Sequence, residues 1–243
     1  MKAEQLQLAL RPRRPFEAVD LGIRMAQTAR RSLVRAWLPL AGLLVLACGS
    51  TIQVEPWLPS LLLWWLEPWL ERGLLDIYAR QAFGEETRFR DAWEARRRAP
   101  WLPMIARLTW LRFSPWRAYS TPVVQLEGQS GAARRKRVRA IVRGHAVAAL
   151  LLQFGGLLIQ LFLVLGLFAL FPLLTPGLPF RGVPWMFTDS LPANIGLFAV
   201  QAAAVLFVAP FHVAGGFAMY LNRRVELEAW DVEQELRHAF AER

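Results

Sequence analysis

The chain has a single cysteine and three histidines in 243 residues. With only Cys48, no intrachain disulfide is possible. His145, His212 and His238 fall in separate segments, none with a Cys, Asp or Glu at metal-ligand spacing, so no metal is expected. No serine lies in a nucleophile-elbow motif, and no Gly-rich loop has the form that cradles phosphate. Neither catalytic residues nor a cofactor are therefore expected. The largest absence is of charge: Gly144 to Phe180 and Ser190 to Asn222 contain no Asp, Glu, Lys or Arg. Each run exceeds the roughly 20 apolar residues that a helix needs to cross a bilayer. Such runs exclude an ordinary soluble domain.

What is abundant is apolar surface and positive charge. Hydrophobic residues make up 55% of the chain, mean hydropathy is +0.27 and net charge is +10. In a soluble protein that charge would suggest nucleic acid. Here no recognised nucleic-acid module accompanies it, and Lys and Arg that hold loops on the cytoplasmic side, against anionic headgroups, account for it. The VLACGS stretch around Cys48 has some likeness to a lipoprotein cleavage site. The polar leader before it is too long for a signal peptide, and Val45 and Leu46 fit the motif poorly. Cys48 reads as a small apolar helix residue.

The pattern predicts an all-α polytopic membrane protein with four transmembrane helices and amphipathic interfacial helices. Residues 1–35 form a basic tail and an amphipathic helix opening at Pro15, with Phe16, Val19, Ile23 and Ala26 at helical spacing. Residues 36–80 form a first transmembrane hairpin. Its first span, Ala36 to Val54, lies between Arg35 and Glu55. Its second segment is unusual, because only eleven uncharged residues separate Glu55 from Glu67. A tilted full crossing over about 57–80 is favoured; entry partway, continuing along the inner interface, is the alternative. Trp57, Trp64, Trp65 and Trp69 suit either setting.

Residues 81–143 are a basic cytoplasmic or interfacial segment with a polar helix over 85–98, a headgroup-plane helix over 101–116 and a basic helix, ARRKRVRAIVRG. Residues 144–222 form a second hairpin, with spans near 145–171 and 194–221 and a proline-rich outer loop between them. Gly155, Gly156 and Gly166 are expected to let helices approach closely, and Pro210 to kink the last span. Residues 223–243 continue as a cytoplasmic helix. Lys and Arg number eight in 1–35, fourteen in 81–143 and four in 223–243, against one in the two opposite loops. That bias places both termini inside.

Candidate functional residues cluster in the second segment. Glu67 and Glu71 share one helix face; Arg72, Asp76 and Arg80 form an i,i+4 ladder on another. Charge at membrane depth faces protein or water. The cluster therefore reads either as a site for a substrate, ion or partner helix, or as mutual ion pairs near the inner interface. His212, beside Pro210, reads as a packing histidine or as a proton relay.

Three stretches, LLLWWLEPWLERGLLDIYARQAFGE, RFSPWRAYSTPVVQLEGQSGAARRKR and APFHVAGGFAMYLNRRVELEAWDVE, together resemble an uncharacterised family of bacterial inner-membrane proteins. Its members are encoded beside a MoxR-type AAA+ ATPase, a von Willebrand-type domain protein, a transglutaminase-like membrane protein, and RDD-family and stage-II-sporulation-M-like membrane proteins. Glu127 and Gly128, with Asn222, Arg223, Glu226 and Trp230, match its pattern. The resemblance implies an assembly part in the cell envelope and no catalytic residues.

Two functional expectations follow. The first is a non-catalytic subunit of an inner-membrane complex, with its basic cytoplasmic surface, Arg223 and Arg224 included, docking other membrane proteins or a cytoplasmic ATPase. The second is an oligomeric transporter or channel-like subunit that uses Glu67, Glu71 and His212. A lipid-handling membrane enzyme is a third, weaker reading. Nucleic acid is not an expected partner.

Overall fold

A computed structural model describes residues 13–85, 87–97, 109, 113–174 and 190–228. Among these residues every element is helical and there is no strand. The elements are α1 (Pro15–Thr28), α2 (Arg30–Gln53), α3 (Leu58–Ala82), α4 (Phe89–Arg97), α5 (Arg117–Gln125), α6 (Gly131–Val142), α7 (Ala146–Leu174) and α8 (Leu191–Glu228). The expected headgroup-plane helix over 101–116, the outer loop and the tail with Trp230 lie largely or wholly outside the described residues.

Three helices are long and apolar enough to cross a membrane: α2, α7 and α8. The fourth expected span, α3, is an unbroken 25-residue helix that passes through Pro68. Its charged lower half keeps it from qualifying on hydropathy alone. α1 begins at Pro15, where the ring's fixed φ suits the first helical position. In α2, a π-helical stretch over Leu33–Trp37 buries Ala36 and Trp37 before the α-helix resumes.

The centre of the bundle is α8. It packs against α1, α7, α3 and α5, and more lightly against α2 and α6. Two glycines, Gly22 on α1 and Gly216 on α8 itself, let two neighbours press close to it. A Cβ on Gly22 of α1 would collide with the backbone of Ala214 and Gly215, and one on Gly216 would collide with the Ala118 carbonyl of α5. Small residues thus convert into backbone proximity, the usual basis of helix association in lipid. Val205, Phe217 and Tyr220 of α8 are fully buried, as are Leu63, Leu70, Leu74 and Tyr78 of α3.

α1 does not stand apart from the bundle. It buries Ala18, Gly22, Met25 and Ala26 along α8. Asn222 clamps its start: Arg13 N–H donates to Asn222 Oδ1 at 2.8 Å, and Asn222 Nδ2 donates back to Arg13 O at 2.9 Å. The last helix runs unbroken through Pro210, Arg223 and Arg224 to Glu228. The two arginines end the apolar run while the helix goes on, since Arg is a good helix former.

Candidate functional site

Polar groups converge at two levels, joined by α3, α5 and α8. At the upper level, the two faces of α3 predicted from spacing separate by burial. Glu67 and Glu71 are buried, at 9% and 6% exposure, whereas Arg72, Asp76 and Arg80 are half-buried. Glu71 Oε1 accepts a hydrogen bond from Arg117 Nη2 of α5 at 2.6 Å, in an ion pair whose side chains are 8% and 12% exposed. Charge-assisted bonds of this length are the strong ones, and removing one partner strands the other charge.

Beside that pair is a void of about 10 Å³ lined by Glu67, Glu71, Arg117, Gln153, Gln160 and His212, among others. It has room for about one water. Both ring nitrogens of His212 are shut off from solvent and meet no hydrogen-bond partner. The ring occupies the space left by Gly156, where a Cβ would collide with Nδ1. Of the three glycines expected to tighten packing in α7, Gly156 is the one that meets a neighbour; a Cβ at Gly155 or Gly166 would meet nothing within 4 Å. Gln153 Oε1 accepts from the Ala118 amide at 3.2 Å, tying α7 to the start of α5.

Asp76 and Arg72 meet α5 at a different place. Gln125 Nε2 donates to Asp76 Oδ1 at 2.5 Å and to the Arg72 carbonyl at 2.9 Å. Other side chains also reach α3's backbone. Trp37 Nε1 donates to the Leu70 carbonyl at 3.1 Å, and Gln201 Nε2 to the Ser60 carbonyl at 3.3 Å.

The lower level is built around Glu127. Arg137 of α6 grips it with Nε at 2.9 Å from Oε2 and Nη2 at 3.0 Å from Oε1. Tyr220 of α8 donates to Oε1 at 2.7 Å, and Arg224 Nε lies 4.0 Å from the same oxygen. Gly128 has φ +65°, a left-handed conformation that suits glycine and aims Glu127 inward. Arg223 donates to Glu226 Oε2 at 2.6 Å and to the Arg143 carbonyl at 3.0 Å. Gly144, at φ +81°, turns the chain there from α6 into α7. Tyr119 donates to the Ile141 carbonyl at 3.3 Å, and burial pushes its phenol well above the usual range. Arg134 is also partly sunk: burial lowers its pKa, and its Nε has no hydrogen-bond partner.

Of the sequence-predicted residues, Glu67, Glu71 and His212 come together; Arg72 and Asp76 share the Gln125 contact; Glu127, Arg223 and Arg224 lie at the lower level; Trp230 is outside the described residues. The reading of the residues missed Arg117, Gln153 and Gln160. Gln153 and Gln160 are seven apart in an otherwise apolar run, the spacing of one helix face, and that signal was readable. Arg117 was hidden among thirteen other basic residues of its segment. Among the described residues no group of His, Cys, Asp and Glu has the arrangement of a metal site. The chain matches no protein-family model, no curated protein and no solved structure.

Proposed function

We propose that the protein is a non-catalytic, multi-pass subunit of a multi-protein complex in the bacterial inner membrane, with both termini on the cytoplasmic side. In this reading α3 is a fourth, tilted span. Its 25 residues reach about 37 Å at 1.5 Å per residue, more than the roughly 30 Å hydrocarbon core. Its charged lower half is held against protein rather than lipid.

The observation that carries the proposal is the basic face of α6. Arg135, Lys136 and Arg139 are exposed, while Arg137 on the same helix is tied to Glu127 and through it to Tyr220 of α8. Positive charge is thereby presented on a helix bolted to the bundle, which suits a fixed docking surface for an acidic partner better than a mobile tail. The partners are other membrane proteins and a cytoplasmic ATPase, and anionic headgroups border the same surface.

Co-purification in mild detergent tests this. Specific partners are expected with the intact chain and are lost when Arg135, Lys136 and Arg139 are changed to Glu. Isolation as a lone, stable monomer counts against it.

A second reading, an oligomeric transporter or channel-like subunit, is favoured by the convergence of Glu67, Glu71 and His212 on one void. It predicts that replacing Glu67 and Glu71 with Gln abolishes flux in proteoliposomes. Unchanged flux sinks it.

A further inference from the structure

Charge is badly out of balance in the middle of the chain. From residue 95 to residue 188 the sequence holds thirteen Lys and Arg and one acidic residue, Glu127. That carboxylate is already engaged by Arg137 and Tyr220. Arg117 has Glu71 of α3 as its counter-ion. Arg134, Arg135 and Arg139 of α6 meet no carboxylate among the described residues.

These three arginines line one groove of about 490 Å³, whose other walls include Phe113, Trp116 and Val138. Positions 134, 135, 138 and 139 fall on one side of α6 by helical spacing. Lys136 is exposed on the same helix but does not line the groove. Two donors of the lining residues are stranded: Trp116 Nε1 and Arg134 Nε are shut off from solvent and meet no hydrogen-bond partner. Both groups can only donate, so what the groove lacks is an acceptor. A guanidinium without a counter-ion beside apolar walls is costly, and an oxyanion that accepts from it offsets the cost.

The apolar walls narrow the class of anion. Phe113 is 74% exposed, and an inorganic anion would leave it bare. A phospholipid fits both halves of the groove. Its phosphate oxygens suit the forked donors of arginine, and its acyl chains cover aromatic and aliphatic walls. Only residues 143–145 separate α6 from α7, which is long and apolar enough to cross a membrane. In the membrane placement proposed above, α6 therefore lies where headgroups are.

We propose that this groove holds one anionic phospholipid of the surrounding bilayer, its phosphate among Arg134, Arg135 and Arg139 and its acyl chains against Phe113, Trp116 and Val138. The inference rests on that membrane placement and adds a bound lipid to the basic docking face.

Native mass spectrometry of the full chain in mild detergent, titrated with phosphatidylglycerol or phosphatidylethanolamine, counts the bound lipid. One phosphatidylglycerol is expected to bind about tenfold more tightly than phosphatidylethanolamine, whose ammonium offsets its phosphate. R134Q/R139Q should lose about tenfold in affinity for phosphatidylglycerol, as the loss of charge-assisted hydrogen bonds implies. K136Q, which removes a charge outside the groove, should stay within roughly twofold. Equal binding of the two lipids by the wild type, or a loss in K136Q as large as that in R134Q/R139Q, overturns the proposal. F113A, at an exposed position, should weaken phosphatidylglycerol several-fold, and unchanged affinity also overturns it. Soluble glycerol 3-phosphate, which has the phosphate without acyl chains, should not displace the lipid; full displacement removes a phospholipid as the occupant.

Co-purification separates this inference from the subunit reading. Partners retained by a wild-type chain with no lipid preference would sink the lipid site and keep the subunit reading. One bound phosphatidylglycerol with no protein partner would do the reverse.

Discussion

The two long uncharged helices look alike in sequence and behave differently in the fold. α7 has a mean hydropathy of 2.3 over its apolar stretch and is 17% buried there; α8 has 2.0 and is 50% buried. The more hydrophobic helix is the more exposed one. Leu151, Phe154, Ile159, Phe162 and Leu165 of α7 face outward, as lipid allows without cost, because hydrocarbon is as apolar as leucine. α8 spends its sequence differently. Glycines and alanines admit neighbouring backbones, while Gln201, His212, Tyr220 and Asn222 supply polar atoms that the neighbours meet or enclose. In a membrane, then, hydropathy reports that a helix can enter, and small and polar residues report which helix lies at the centre.

Breaking the central polar contact should have the largest effect. Arg117→Leu strands buried Glu71 and should cost about 3–5 kcal/mol, with the double change Glu71→Leu/Arg117→Leu recovering much of it. Cys48, the lone thiol and 2% exposed, reports unfolding when a thiol-reactive dye follows a thermal ramp. Equal destabilisation in the single and double variants would show that the pair's charge is not what matters.

The two helices can be compared directly by truncating one aromatic in each. Phe217→Ala in α8 removes a fully buried ring and should cost roughly 3 kcal/mol, whereas Phe162→Ala in α7, 68% exposed, should stay within about 0.5 kcal/mol. The same thiol ramp reads both. A large loss at Phe162 would mean that another protein surface covers α7.

Glycines sharpen the contrast further. Gly216→Ala forces a Cβ onto the Ala118 carbonyl and should cost about 1–3 kcal/mol. Gly166→Ala meets open space and should gain about 0.5–1 kcal/mol from helix propensity. Similar thermal midpoints for the two variants would erase the distinction between a packed and an open helix. A loss comparable with that at Gly216 is expected at the lower level. Tyr220→Phe removes one donor from Glu127, which keeps Arg137, and should lower stability by about 1.5 kcal/mol. Urea-dependent exposure of Cys48 in detergent would measure it.

Much of the element order was legible because it rests on local signals. Pro15 opens α1, the uncharged runs bound α7 and α8, and the i,i+4 spacing in α3 separates Glu67 and Glu71 from Arg72, Asp76 and Arg80. The site was half legible. Glu67, Glu71 and His212 stand out because polar groups are expensive among apolar neighbours. Arg117 did not, since one arginine in a basic segment carries no local mark of being the one that turns inward. The resting place of α1 was also hidden, because an amphipathic helix has the same pattern whether its apolar face meets headgroups or another helix.

By itself the sequence determined which segments are helical and which are apolar enough to enter a membrane, since both follow from periodicity and charge counted along the chain. Only the tertiary structure decided that α8 is the hub, that Gly22, Gly156 and Gly216 are contact points while Gly155 and Gly166 are not, and that Glu71 faces Arg117 beside His212. Those facts depend on pairs 46 to about 190 residues apart, and no local pattern encodes which partner a small or charged residue will meet.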